Sequence, residues 1–156
     1  MADMHDQMLT ESEIADLRCL AGMIVPPSAK YGVPGADDET IFSDILNSIG
    51  RDRDNVRAAL SMLRSLAGGS FTALDAARRS EVAATLRADG GSPVRVLARI
   101  VLLCYYRDDR VMVSLGLEAR PPFPKGHEVE QGDWSLLDPV RNRKPFWRPD
   151  QGAVNR

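Results

Sequence analysis

Cysteine, histidine and long apolar runs are what this sequence has least of. It holds two cysteines and two histidines in 156 residues. The cysteines, Cys19 and Cys104, have neither a CxxC neighbour nor a histidine cluster, which argues against zinc. Both sit among apolar residues at helical spacing and read as core thiols; a disulfide between them is the alternative reading. The scattered carboxylates, His5 and His127 do not make a convergent metal-ligand set. The longest uninterrupted apolar run, IVLLCYY at residues 100–106, is far short of the ~20 residues that a membrane span requires.

Other absences narrow the function. The N-terminal MADMHDQMLTESE is acidic and has neither an apolar signal core nor a twin-arginine pair. A cytoplasmic location is therefore expected, with the periplasm as the alternative if a signal was removed or a partner carries one. No stretch alternates apolar and polar residues with β-branched enrichment, so strands are not expected. The glycines of GVPG and DGG lack the spacing of a phosphate-cradling or dinucleotide loop and read as turns. A net charge of -2 and a pI near 5.7 do not fit a nucleic-acid binder. The charge is uneven, however: residues 1–40 hold two Lys/Arg against eight Asp/Glu. That acidity is explained by a surface helix or by an orienting role toward a partner.

What the sequence does contain is a succession of amphipathic helices. Thr10 with Glu13 three residues later has capping-box spacing, and Ile14, Leu17, Leu20, Ala21 and Ile24 follow on one face until Pro26 and Pro27 end it. Asp37 or Asp38 caps a second helix, with Ile41, Phe42, Ile45, Leu46 and Ile49 on one side and Gly50 at its end. Asp52 or Asp54 starts a third, striped by Val56, Ala59, Leu60, Leu63 and Leu66 and stopped by Gly68 and Gly69. From Phe71 to Arg87 the pattern weakens and predicts one or two short helices interrupted near Ser80. Ser92 and Pro93 read as the cap and first-turn proline of a helix whose apolar residues, Leu103 among them, cover more than one face. RDDRVMVSLG continues or restarts it, with Val111 and Leu115 inward and Gly116 as a terminator. The expected fold is all-α: a small helical bundle over residues 1–116, with an extended Pro/aromatic-rich C-terminal arm over 117–156 in the same domain unit.

That arm holds six of the ten prolines, both tryptophans and two of the four phenylalanines. Prolines forbid helix interiors and set an extended path, yet disordered tails are poor in large aromatics. Leaving Phe123, Trp134, Phe146 and Trp147 in water forfeits ~1.5–3 kcal/mol each. The arm therefore needs a surface, either the chain's own helical body or another subunit.

Residues 104–148, CYYRDDRVMVSLGLEARPPFPKGHEVEQGDWSLLDPVRNRKPFWR, resemble the C-terminal signature of the gluconate 2-dehydrogenase subunit 3 family. The turn IVPPSAKYGVPGADD at 24–38 is similar to that family's proline-containing turn between its first two helices. The resemblance implies a non-catalytic small subunit without its own redox cofactor. It would bind a large FAD-containing subunit of the glucose-methanol-choline type that oxidises a sugar or other alcohol, with a haem or other electron-acceptor subunit as a further partner. Arg107, Arg110, Arg120, Pro121, Pro122, Phe123, Pro124, Trp134 and Pro139 match the family's motif positions. Many members carry a twin-arginine signal, and this sequence as it stands does not.

His127 beside Glu128 does not make an acid/base pair, because adjacent residues of an extended chain do not converge and no nucleophile stands beside them. His127 and Trp147 join the expected partner-binding set, His127 at the edge of a partner's site. Arg107 and Arg110 read either as a solvated helix end or as bidentate contacts to a partner. Tyr105 and Tyr106 are expected to divide between core and polar edge. The alternative to a flavoprotein subunit is a free-standing helical adaptor or regulator whose tail packs on its own body.

Overall fold

Thr10 opens the first helix as its spacing from Glu13 predicts. In the computed structural model, which describes residues 9–121, 123–128, 130–144 and 146, the Thr10 N–H donates to Glu13 Oε2 at 2.7 Å. The Glu13 N–H returns a bond to Thr10 Oγ1 at 3.3 Å. Two donors left over at a helix start are thereby satisfied. Helix α1 runs Glu11–Ile24, and α2 spans Glu39–Ser48 with Asp38 as its cap, accepting from the N–H groups of Thr40 and Ile41.

Between them, Ser28 and Val33 exchange backbone hydrogen bonds at 3.0 and 3.1 Å, and the Ala36 N–H reaches the Val25 carbonyl at 2.9 Å. The proline-rich connection is therefore a pinned turn. Helix α3, Arg53–Ala67, ends at Gly68, whose φ of +70° only glycine adopts without strain. The N–H groups of Gly68 and Gly69 cap the Ser65 and Arg64 carbonyls, a Schellman closure.

Three expectations change at this level. The region expected to break near Ser80 is one continuous helix, α4, Ala76–Asp89. The Ser80 hydroxyl donates to the Ala76 carbonyl at 3.0 Å, so the residue stays inside the helix instead of competing with it. Helix α5, Gly91–Tyr106, starts at Gly90, which supplies no side-chain cap; Ser92 and Pro93 lie in its first turn. The polar stretch after it restarts as a short helix, α6, Asp109–Ser114, capped by Asp108. Val111 is buried as expected, but Leu115 is 56% exposed, because α6 ends at Ser114 and the chain turns away at Gly116 with φ +74°.

The core is a single cluster drawn from α1 to α6 together with Ala36, Ile49 and Phe71. Helix α5 packs on α1, α2, α3 and α4, which makes it the central helix. Asp16, 3% exposed, is the buried charge among the described residues. Its carboxylate accepts from the Thr72 N–H at 3.1 Å and the Ser70 hydroxyl at 3.3 Å, which compensates the cost of burying it. Cys19 is half-buried and Cys104 buried, and both are free thiols, so no disulfide joins them. Burial pushes the Cys104 thiol above its usual range.

The described residues contain no strand, and none of their helices is long and apolar enough to cross a membrane. The chain divides into two units between Arg120 and Pro121. The second unit holds a 3-10 turn, Trp134–Leu137, and a single-turn helix, α7, Asp138–Arg141. Pro139 stands in the first turn of α7, where its missing N–H costs nothing. Among the described residues of this unit, helical structure is confined to these eight.

Candidate partner-docking surface

Two of the expected partner-binding arginines are tied into the body. Arg107, at the end of α5, donates through Nε and Nη2 to both oxygens of Asp44 on α2, and through Nη2 to Ser48 Oγ at 2.6 Å. Arg110, in α6, bonds Asp38 Oδ1 at 2.7 Å and Asp108 Oδ2 at 3.0 Å. Planar guanidinium groups suit such forked contacts. The hydrogen bonds to Asp44 raise the Arg107 pKa, and those to Asp108 and Asp38 raise that of Arg110. Asp38 and Asp108 are correspondingly held below the ordinary carboxylate range, Arg110 being the largest cause for both. The two arginine side chains remain about half exposed, at 54% and 47%.

Tyr105 and Tyr106 divide as expected. Tyr105 is buried and its hydroxyl donates to the Pro34 carbonyl at 3.3 Å; Tyr106 is exposed, and the two rings meet edge to face. Arg120 pairs with Glu118.

In the second unit, every described residue is exposed, Pro121, Pro124, His127 and Pro139 included. Phe123 is 87% exposed and Trp134 61%. Pro122 and Trp147 lie outside the described residues. Among the described residues no group of three or more His, Cys, Asp or Glu is gathered to hold a metal ion.

A surface that the sequence reading missed lies on α5. Leu103 was expected to help bury this helix, but it is 60% exposed, and Leu102 and Tyr106 beside it are 39% and 54% exposed. They border a shallow depression of about 630 Å³ edged by Arg95, Arg99 and Arg107. Ala98 and Leu102 also line a neighbouring cleft of about 550 Å³ walled by Leu20, Met23, Ala83 and Val94 and edged by Arg87. The signal was present in the sequence: arginines at 95 and 99, four apart, on a helix apolar around most of its circumference. Such a helix is either enclosed or short of one partner.

Comparison with protein-family models, with curated proteins and with solved structures finds no match to this chain.

Proposed function

We propose that this chain is the non-catalytic small subunit of a complex with a large FAD-dependent alcohol or sugar dehydrogenase, which it binds and stabilises. The observation that carries the reading is the stretch from Cys104 to Arg148. Its resemblance to the gluconate 2-dehydrogenase subunit 3 family coincides with aromatic side chains, Phe123 and Trp134, presented to solvent. Aromatic residues exposed on a proline-stiffened segment favour a docking role. The prolines restrict the free chain, so less conformational entropy is lost on binding, and the rings supply the buried area.

In this reading Phe123 and Trp134 are the anchors, with Arg120, Pro121, Pro122, Pro124, His127, Pro139 and Trp147 around them. Arg107 and Arg110 brace the end of the helical body through Asp44 and Asp38, and their exposed edges face the partner. FAD and the substrate chemistry belong to the large subunit.

The test is co-expression with a glucose-methanol-choline flavoprotein encoded beside this gene, followed by purification through a tag on the small chain. A yellow complex with alcohol or sugar dehydrogenase activity is expected, whereas the chain by itself should be colourless and inactive. Failure of any such flavoprotein to co-purify, or flavin bound to the rigorously isolated chain, overturns the reading.

A further inference from the structure

The α5 face and the C-terminal segment carry opposite and matching chemistry. The linings of the two depressions, which share Ala98 and Leu102, contain four arginines, Arg87, Arg95, Arg99 and Arg107, and no carboxylate. Asp52 holds Arg99 at 2.8 Å, and Asp44 holds Arg107. Arg87 and Arg95 have no ion pair among the described residues. Leu102, Leu103 and Tyr106 supply exposed apolar surface beside these charges.

Two copies of this face laid against each other would set arginine against arginine, which costs affinity. Its occupant must therefore be acidic as well as apolar. Within the chain the window EVEQGDWSLLD, residues 128–138, has that character: four carboxylates, no lysine or arginine, and the large apolar residues Trp134, Leu136 and Leu137. These three are 61%, 74% and 42% exposed, and a 3-10 turn over Trp134–Leu137 gathers them. The Asp133 carboxylate stops this turn from fraying by accepting from the Ser135 N–H at 3.0 Å.

We propose that residues 128–138 of a second copy dock on the α5 face, so that the isolated chain forms a reciprocal dimer. Each copy lends its acidic, tryptophan-bearing segment to the arginine-edged depression of the other. A two-fold arrangement uses both contacts at once and leaves neither apolar surface in water. The inference goes beyond the proposed function, because it concerns the chain without a large subunit and is tested on the chain alone.

The experiment is sedimentation equilibrium on the full chain across a wide concentration range. Trp134 fluorescence is read in parallel in a Trp147→Phe background, which leaves Trp134 as the one tryptophan. The expected result is a dimer that weakens with salt and a Trp134 emission that shifts to the blue as the dimer forms. Arg95→Glu and Glu130→Arg should each weaken dimerisation on the order of tenfold. An equimolar mixture of the two variants should recover it, because each wild-type or charge-reversed segment then meets a complementary face. Circular dichroism confirms that these surface variants stay folded. A monomer at every concentration overturns the proposal, as does Trp134 burial independent of concentration, which would mean capture within one chain. A dimer indifferent to both substitutions overturns it equally.

Discussion

Arg110 donates to the Asp38 carboxylate at 2.7 Å, and that same carboxylate caps α2 by accepting from Thr40 and Ile41. One side chain thus joins a helix start to another helix 72 residues away in sequence. Asp38→Ala should be the more damaging change, since it removes both the cap and the ion pair; the cap alone contributes about 0.5–2 kcal/mol. Arg110→Met leaves the cap and removes the half-exposed pairs of Arg110 with Asp38 and Asp108, and should cost about 1 kcal/mol or less. Urea denaturation of the two variants orders them, and an Arg110→Met loss exceeding that of Asp38→Ala contradicts the geometry.

The same contacts set a pH dependence. Asp38 and Asp108 are held below the ordinary carboxylate range, chiefly by Arg110. A carboxylate with a depressed folded-state pKa contributes stability above its unfolded value, about 3.9. That contribution is lost as pH falls through the lower folded value. The stability difference between wild type and Arg110→Met should therefore be full at about pH 7 and shrink below about pH 4. A constant difference across that range would show that the pair does not govern these two groups.

The two sides of α5 should respond differently to truncation of a leucine. Leu97 is 2% exposed and Ile100 5%, so replacing either by alanine leaves a cavity and should cost about 2–5 kcal/mol. Leu103 is 60% exposed, and Leu103→Ala should stay within about 0.5 kcal/mol. Thermal melts of the three variants at low concentration separate the faces. Equal losses at positions 97 and 103 would mean that the helix is rotated from the orientation described.

Gly90 separates α4 from α5 without a special backbone angle; its φ is -73°. What it provides is room. A Cβ at this position would lie 2.1 Å from Val94 Cγ2 and 2.5 Å from the Leu86 carbonyl oxygen. The valine can rotate but the carbonyl belongs to the last turn of α4, so Gly90→Ala should cost about 1–3 kcal/mol by overpacking. Gly116→Ala is a useful contrast. Space around it is open and its strain comes from φ +74°, a penalty of about 1–2 kcal/mol. A Gly90→Ala loss that persists in a Val94→Ala background would identify the Leu86 carbonyl as its cause, and full relief by Val94→Ala would place the clash on the valine instead.

Features that depend on neighbours in sequence were legible before the structure. The Thr10–Glu13 box and the Gly68–Gly69 closure are local and stand where spacing placed them, and Asp38 is one of the two adjacent caps the sequence offered for α2. The continuity of α4 was not legible, because Ser80 and Thr85 have low helix propensity. Their bonds to the carbonyls of Ala76 and Glu81, with Val82 and Leu86 buried below, hold the helix together. Nor could periodicity show which side of α5 lacks a partner, since an enclosed helix and an under-covered one have the same apolar circumference. The intramolecular partners of Arg107 and Arg110 lie 63 and 72 residues away, beyond any local pattern. The composition of the arm was plain, while the helical turn over 134–141 depends on the Asp133 and Pro139 placements that begin it.

Removal of the arm is the decisive test of what it does. Every buried hydrophobic residue among those described lies between Leu17 and Val111, so deleting residues 121–156 takes nothing from the core cluster. The truncated chain should keep its helical circular dichroism and melt within a few degrees of the full chain. If the arm docks on a flavoprotein, the truncated chain should lose that partner altogether. Trp134→Ala in the full chain should weaken the complex by about 2 kcal/mol, a factor of about thirty, as expected for an aromatic anchor entering a pocket. The rival account, in which the tail protects its own body, requires the reverse: truncation would unfold or aggregate the chain, and Trp134→Ala would lower its melting temperature without a partner present. Circular dichroism of the truncated chain and a pull-down against the large subunit distinguish the two. A folded truncation that binds the flavoprotein as tightly as the full chain would refute the docking role of the arm.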